Sequence, residues 1–397
     1  MAHVTAIVPT YNRAALMVDC IDSLLEQSRP PDRVLVVDDG STDDTVERLR
    51  SYASRIHFVT QKNSGKSAAL NHGLSVVGQT DYIWICDDDD IADRLGLERL
   101  LDCAMGHPQA PFVYGTYKRF RDTPSGRVFE DAPFEGREGE DSFLIQSLEE
   151  TFAFQFAQLV KRETYEAVGP FRADLPRSID FEMNIRLARY GVPVRIPDVI
   201  FFQRIHSGDR GPASARFKAD EALSKWARFG AQITRDATAS LELASLRPYF
   251  ARDWSGDDAK RSELLQRGLI FAQRMMWSEA LDDLEACASL APAGTLPSRG
   301  EIQIAESVVR ARLALIALQK DKAAMRRLRD LHRRSDYARL IVSAAMRPLV
   351  WNARKSLREG LRREAASFLQ TLIFVLGPAG ALRRIRASLV SGRPAGQ

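Results

Sequence analysis

Apolar residues in the first 120 positions fall in short runs, separated by stretches with helical spacing. Val4 to Val8 is one such run, ended by Pro9. Leu16, Cys20, Ile21, Leu24 and Leu25 then recur at three- and four-residue intervals, as on one face of a helix. Val34 to Val37 predicts a second strand, broken by Asp38-Asp39-Gly40-Ser41. A helix over 42–52, a strand over 56–59, a helix over 67–77 and a strand over 82–86 follow. Four aspartates come next, then a helix over 94–105 and a strand over 112–120. Alternation of this kind predicts an α/β fold whose parallel sheet is covered by helices on both faces. Ligands bind such sheets beyond the carboxyl ends of the strands. Both aspartate clusters lie at strand ends, so they are expected to converge on one crevice.

From 151 to 203 the pattern is mixed, and Gly191 follows the amphipathic run 180–190 as a helix stop would. Beyond about Arg216 strand signals largely vanish, and the chain is rich in Ala, Leu, Arg and Glu. Gly268, Phe271, Ala280, Leu284 and Pro292 approach the spacing of the roughly 34-residue tetratricopeptide repeat. Without a second convincing copy, a generic helical hairpin explains them equally well. The expected organisation is an α/β domain over 1–215, an all-α domain over 216–350 and a basic amphipathic segment over 351–397.

Composition narrows the class. An apolar fraction of 45% and a charged fraction of 27% are those of a folded soluble protein. Cys20, Cys86, Cys103 and Cys287 are scattered with no CxxC pair. That argues against a zinc site or disulfide framework and fits small buried residues in a reducing compartment. The start lacks a basic region followed by a long apolar one, so no signal peptide is expected. No run reaches the roughly 18 apolar residues of a membrane span. The nearest, Phe368 to Leu382, is interrupted by Gln370, Gly377, Pro378 and Gly380. The net charge of +4 hides an asymmetry: Lys320 to Gln397 holds 18 Lys/Arg against 5 Asp/Glu, and the residues before it 38 against 47. A basic tail on a mildly acidic body points to an anionic surface, lipid or nucleic acid.

Asp87-Asp88-Asp89-Asp90 carries the strongest chemical signal. Adjacent carboxylates repel, and these follow the apolar strand Tyr82 to Cys86 directly. A strand end aiming carboxylates at a cleft calls for a cation, and hard oxygen ligands suit Mg²⁺ or Mn²⁺. Asp38-Asp39 ends an earlier strand similarly; it reads either as acceptors for a base or ribose, or as a turn with Ser41 or Thr42 capping the next helix. Pro9-Thr10-Tyr11-Asn12 offers an aromatic to stack on a base, and Lys66 a cation for a phosphate or base carbonyl. The glycine spacing of a phosphate-binding loop is absent around it.

Together these segments resemble glycosyltransferase family 2, of the GT-A fold. The matching residues are Val4 to Arg13, Val36 to Asp43, Asn63 through Gly65 to Ala69 with Asn71 and Gly73, and the aspartate run, which matches the family's DxDD pattern. The likeness covers about Val4 to His206 and leaves the tail unaddressed. It implies a GT-A mixed sheet flanked by helices and an inverting transfer of sugar from a nucleoside diphosphate, UDP by family habit, to an acceptor hydroxyl. It further implies that Tyr11 and Asp39 hold the base, with Pro9, Thr10, Arg13 and Lys66 near the nucleotide. Asp87 would lie near the donor sugar and Asp88 near the ribose. Asp89 would hold Mn²⁺ or Mg²⁺ bridging the diphosphate. Asp180, in Ile179-Asp180-Phe181-Glu182, aligns with the base that takes the acceptor proton. A helix N-cap is its other reading. In Arg204-Ile205-His206, which resembles a downstream Arg-x-His element, His206 would complete the metal shell or bind the diphosphate. The Gly- and Pro-containing run 207–214 after it reads as a closing lid.

The QxxRW element of processive polysaccharide synthases is absent, which points to single-sugar transfer. A sugar-1-phosphate nucleotidyltransferase would need a Gly-rich loop after the first strand, and a dehydrogenase GxGxxG; neither is present. A scaffold acting through the helical tail is the alternative of another class. Expected partners are a nucleotide-sugar donor, a glycan or lipid-linked acceptor and an anionic membrane surface met by the tail, with no nucleic acid. Phe152, Phe154 and Phe156 read as an acceptor-side platform or as core. The expected place is the cytoplasm, peripheral on the inner face of the cell membrane, in cell-surface glycan synthesis.

Overall fold

The computed structural model describes residues 2–133, 142–150, 152–205, 222–308 and 312–390. The chain forms two compact units, residues 1–230 and 231–397. His206 and the run 207–214 lie outside the described residues.

The first unit is built on a nine-stranded sheet. Strands β1 (Val4–Thr10), β2 (Arg33–Asp38), β3 (His57–Thr60) and β4 (Tyr82–Ile85) are parallel, in the order β3-β2-β1-β4. The sheet is not parallel throughout. β8 (Gln158–Lys161) pairs antiparallel with both β4 and β6 (Phe112–Thr123). β9 (Val194–Arg204) then runs parallel to β6, and β5 (Ile91–Ala92) closes the edge. β7 (Gly126–Phe129) folds back on β6 as a hairpin. The four-residue β8 carries no alternation that separates it from a parallel strand, so its direction is set by its neighbours. The result is the mixed sheet that the resemblance implies.

Alternation explains why both faces are covered. Val4, Ala6 and Val8 of β1 share a core with Met17, Cys20, Ile21 and Leu24 of α1 (Ala14–Leu25) and with Leu97 and Leu100 of α4 (Gly96–Gly106). Ile7 points the other way, onto α3 (Lys66–Val76). A Cβ added to Gly73 of α3 would lie 2.9 Å from Ile7 Cγ2, so only glycine allows this approach. α2 (Thr45–Ser51) follows β2. Its N-cap is Asp44; Ser41 and Thr42, the sequence-based choices, instead bond to Asn12. Helices α5 (Phe143–Glu149), α6 (Arg162–Val168) and α7 (Ile179–Tyr190) complete the unit.

α8 (Ala222–Ala239) leads into the second unit, which is helical from α9 (Gly256–Gln273) to α16 (Arg362–Val390). α9 and α10 (Trp277–Ser289) form a hairpin in which a Cβ on Gly268 would sit 3.3 Å from the Ala280 carbonyl oxygen and 3.5 Å from Leu284 Cγ. The small residue there lets the helices close. Tyr337, Leu349, Phe368, Leu372 and Val375 share one core with this hairpin. α15 (Arg347–Arg358) and α16 are therefore packed parts of the unit.

Among the described residues, Arg362–Ala387 is long and apolar enough by composition to cross a membrane, with mean hydropathy 1.6. The sequence predicts no such length. α16 reaches it only by running across Gly377, whose φ of 72° and ψ of 165° are not helical. The straight piece before it spans about 22 Å at 1.5 Å per residue, against a bilayer core of about 30 Å. One side of it faces the core through Phe368, Leu372 and Val375.

Candidate active site

Pairing places the carboxyl ends of the parallel strands at one level: Thr10 lies beside Asp38, and Asp38 beside Thr60. The run after β4 starts at the same edge, because Ile85 pairs with Ile7. A cavity of about 1470 Å³ opens there. Pro9, Thr10, Tyr11, Arg13, Asp39, Lys66, Asp87, Asp88, Asp89 and Asp180 all line it. Every sequence-derived site residue that the structure describes is thus brought to one place.

Two turns are tied together at its rim. Asn12, held at φ 52°, donates from its backbone N–H to Ser41 Oγ at 2.8 Å, and its Oδ1 accepts from the Thr42 N–H at 2.7 Å. Asp39, buried, organises the next loop. Its Oδ1 accepts from Gln61 Nε2 at 2.7 Å and from the Ser64 N–H at 2.9 Å, and its Oδ2 from the Gly65 N–H at 2.7 Å. Gly40 permits this, since at φ 78° a Cβ would meet the Gln61 carbonyl oxygen and the Asn63 nitrogen at 2.8 Å. Lys66 follows as the first residue of α3.

The aspartates divide by environment. One carboxylate oxygen each of Asp87, Asp89 and Asp90 lies within 4.8 Å of the others. Lys66 Nζ donates to Asp87 Oδ1 at 2.5 Å, and Arg13 Nη1 to Asp89 Oδ2 at 2.5 Å. Asp88 is buried, with its Oδ1 3.9 Å from Arg13 Nε. Burial pushes the Asp88 carboxyl up to about 7, against the pull of Arg13 and with the help of Asp89. Burial, then Asp89 and Asp87, push Asp90 well above the usual carboxylate range. Burial alone would lower the Lys66 ammonium, but Asp87 and Asp180 outweigh it and raise it. Three carboxylates within one coordination sphere offer only hard oxygens, the donor set that suits Mg²⁺ or Mn²⁺. The residues present therefore fit a divalent cation.

The sequence assigns Asp90 no role of its own within the run; its position in the fold does. Its Oδ1 accepts from the Arg204 N–H at 2.8 Å, joining the aspartate loop to the end of β9. Arg204, almost fully buried, donates from Nε to the Asp89 carbonyl oxygen at 2.9 Å and from Nη2 to Asp19 at 2.5 Å; Asp122 accepts from Nη1. Its partners lie 82 to 185 residues away in sequence, a distance no local pattern reports.

Asp180 is the second residue of α7. The N-cap is Ser178, so the capping alternative does not describe Asp180. Burial raises its carboxyl, Lys66 lowers it and Asp87 raises it further, with a net upward shift. Among the described residues, Ser67 and Ser178 each line the cavity with a buried hydroxyl oxygen that has no hydrogen-bond partner, and the Thr10 hydroxyl lies beside the Asp88 carboxyl, which it helps to hold down. Spacing gave no hint of Ser67 or Ser178. Phe152 and Phe156 pack into the core, against Tyr114 and Phe143 and against Trp84 and Phe201. Phe154, edge-on to Tyr117, is the one of the three that lines the cavity.

A mixed sheet with this strand order, and an aspartate run opposite a helix-borne carboxylate, define a GT-A-type glycosyltransferase. The glycosyl transferase family 2 model matches residues 5–169. A glycosyltransferase of Rickettsia prowazekii, RP339, is 36% identical over 240 residues, which are 59% of this chain and 73% of that protein. The chain belongs to glycosyltransferase family 2. Chondroitin synthase of Escherichia coli is 27% identical over 212 residues, 52% of this chain and 29% of that protein. Glycosyltransferase GlyG of Streptococcus pneumoniae is 31% identical over 130 residues, 32% and 42% of the two chains. The chain spans 29% to 42% of the length of the first curated relatives it matches. Among solved structures, S. aureus TarS 1-349 in complex with UDP-GlcNAc superposes with a TM-score of 0.50 at 15% identity, covering 90% of this chain and 92% of that one. That likeness establishes the fold.

Proposed function

We propose that this glycosyltransferase is an inverting enzyme that moves a sugar from a nucleoside diphosphate, UDP before others, to an acceptor hydroxyl. The observation that carries the reading is the shared cavity: a raised, half-buried Asp180 lines the same space as Asp87, Asp88 and Asp89. Tyr11 and Asp39 are the residues for the base, and Arg13 and Lys66 the cations for the diphosphate. The hydroxyls of Ser67 and Ser178, unpartnered among the described residues, fit a polar, hydrogen-bonding ligand, since buried polar groups take partners.

In the reaction, Asp180 accepts the proton of the acceptor hydroxyl as its oxygen bonds to the anomeric carbon. The bond from that carbon to the diphosphate oxygen breaks, the diphosphate leaves with the electron pair, and the configuration inverts. Asp89, with Asp87 and Asp90 around it, would hold Mn²⁺ or Mg²⁺, which when bound neutralises charge on the departing diphosphate. His206 remains a proposed further ligand. Arg13 and Lys66 add fixed positive charge on the same side. The acceptor is proposed to be a glycan or lipid-linked sugar.

The test is a panel of nucleotide sugars with Mn²⁺ or Mg²⁺, read as nucleoside diphosphate release and as the anomeric configuration of the product by NMR. Asp180→Asn should lower turnover by about 10² to 10⁴ while calorimetric nucleotide binding stays unchanged. A product that retains configuration, or an Asp180→Asn enzyme with full turnover, would sink the proposal.

A further inference from the structure

The helical unit keeps one indole ring at its surface among cations. Along α15, Leu349, Val350, Asn352, Ala353 and Ser356 are buried. Trp351, Lys355 and Arg358, at i, i+4 and i+7, share the opposite, exposed stripe. Trp351 is 44% exposed, and Lys355 Nζ lies 5.5 Å from its ring centroid. Leu357, about 120° round the helix from Trp351, and Leu361, just beyond the helix, are exposed beside this stripe rather than on it. Arg362 and Arg363, also exposed, open α16. From Arg347 to Arg363 the chain holds six Lys/Arg against one acid, Glu359. The longer apolar stretch after it is not available to a partner on its core side, where Phe368, Leu372, Val375 and Leu376 are buried.

We propose that this face of α15 docks flat on an anionic lipid surface, with Trp351 at the headgroup level. Cations next to apolar side chains on one helix face are what such a surface rewards: anionic headgroups attract the Lys and Arg heads, and apolar groups enter the acyl boundary. An indole ring prefers that boundary, and Lys355 and Arg358 can lay their aliphatic stems along it with their charges outward. A duplex nucleic acid would take up the same cations but offer the Trp351 ring no apolar layer to enter. The inference rests on the helical unit alone and is independent of the transferase reading.

The experiment is co-sedimentation of the full chain with vesicles of phosphatidylcholine alone or mixed with phosphatidylglycerol, alongside retention on duplex DNA. Lys355→Glu with Arg358→Glu, and Trp351→Ala, are the variants, each checked for an unchanged melting curve. If charge reversal unfolds the chain, Lys355→Gln with Arg358→Gln takes its place. Expected is binding to mixed vesicles only, weakened by salt and by about tenfold or more in the double variant, with a several-fold loss in Trp351→Ala. Equal binding of wild type and double variant would overturn the proposal. So would DNA retention lost in the double variant without any vesicle binding.

Discussion

Arg13 donates through Nη1 to Oδ2 of Asp89 at 2.5 Å, so the carboxylate assigned to the metal already carries a cation of the chain. Burial would lower the Arg13 guanidinium, yet Asp88 and Asp89 hold it above its usual value. Arg13 and a divalent ion therefore compete for the same negative charge. Arg13→Gln should tighten Mn²⁺ binding without nucleotide by about tenfold, because one positive charge leaves a poorly solvated site. Calorimetry reads this directly; unchanged affinity would place the ion away from Asp89.

Asp180, the proposed base, can accept a proton only when ionised, and its carboxyl is raised. The acid limb of kcat/KM should therefore lie above the ordinary aspartate value of about 4. Lys66 is the neighbour that pulls Asp180 down. Lys66→Met should move the limb to higher pH, as well as weakening donor binding. A pH–rate series on both proteins checks the sign, and a limb that stays in place would separate Lys66 from the base.

Gly40 combines a φ of 78° with backbone atoms 2.8 Å from any added Cβ. Gly40→Ala should cost about 1 to 3 kcal/mol through backbone strain and displace the loop that Asp39 orders. Denaturant unfolding measures the first effect and nucleotide titration the second. A variant with wild-type stability and binding would remove Asp39 and its loop from the site.

Arg204 is nearly buried, whereas Asp19 and Asp122 are 33% and 50% exposed in their side chains. Removing the guanidinium leaves those carboxylates partly solvated, so the loss is smaller than for a fully buried pair. Arg204→Ala should destabilise the first unit by about 2 kcal/mol and flatten the thermal shift produced by Mn²⁺, since the Asp89 carbonyl loses its anchor. A shift equal to wild type would make Arg204 structural only.

The strand-end positions of the aspartates were legible because parallel β-strands repeat one rule: apolar run, then polar break. That rule places Asp39 and the aspartate run together, while Lys66, at the start of a helix, joins them only through the family resemblance. The rule fails where geometry is non-local. The direction of β8 depends on its neighbours, Arg204 depends on partners up to 185 residues away, and the hydroxyls of Ser67 and Ser178 carry no spacing signature. In the tail, composition showed the basic charge but not which side of each helix faces out. The apolar run from Phe368 to Leu376 reads equally as a membrane-facing or a packed helix, and Phe368 and Leu372 prove to be core, while Trp351 carries no sequence signal and is exposed.

The reversal of direction at β8 divides the cavity lining among three stretches of chain. Residues from Pro9 to Asp90 line one side of it, among them Tyr11, Asp39 and the aspartates; residues from Phe154 to Phe181 line another, with the proposed base Asp180, and Gln203 and Arg204 add the end of β9. The first stretch follows directly from the ends of paired strands, whereas the second is tied to the sheet only through β8, between Phe154 and the residues that lead into α7. Substitutions in the second stretch can therefore reshape that side of the cavity while the frame that holds the aspartates stays as it is.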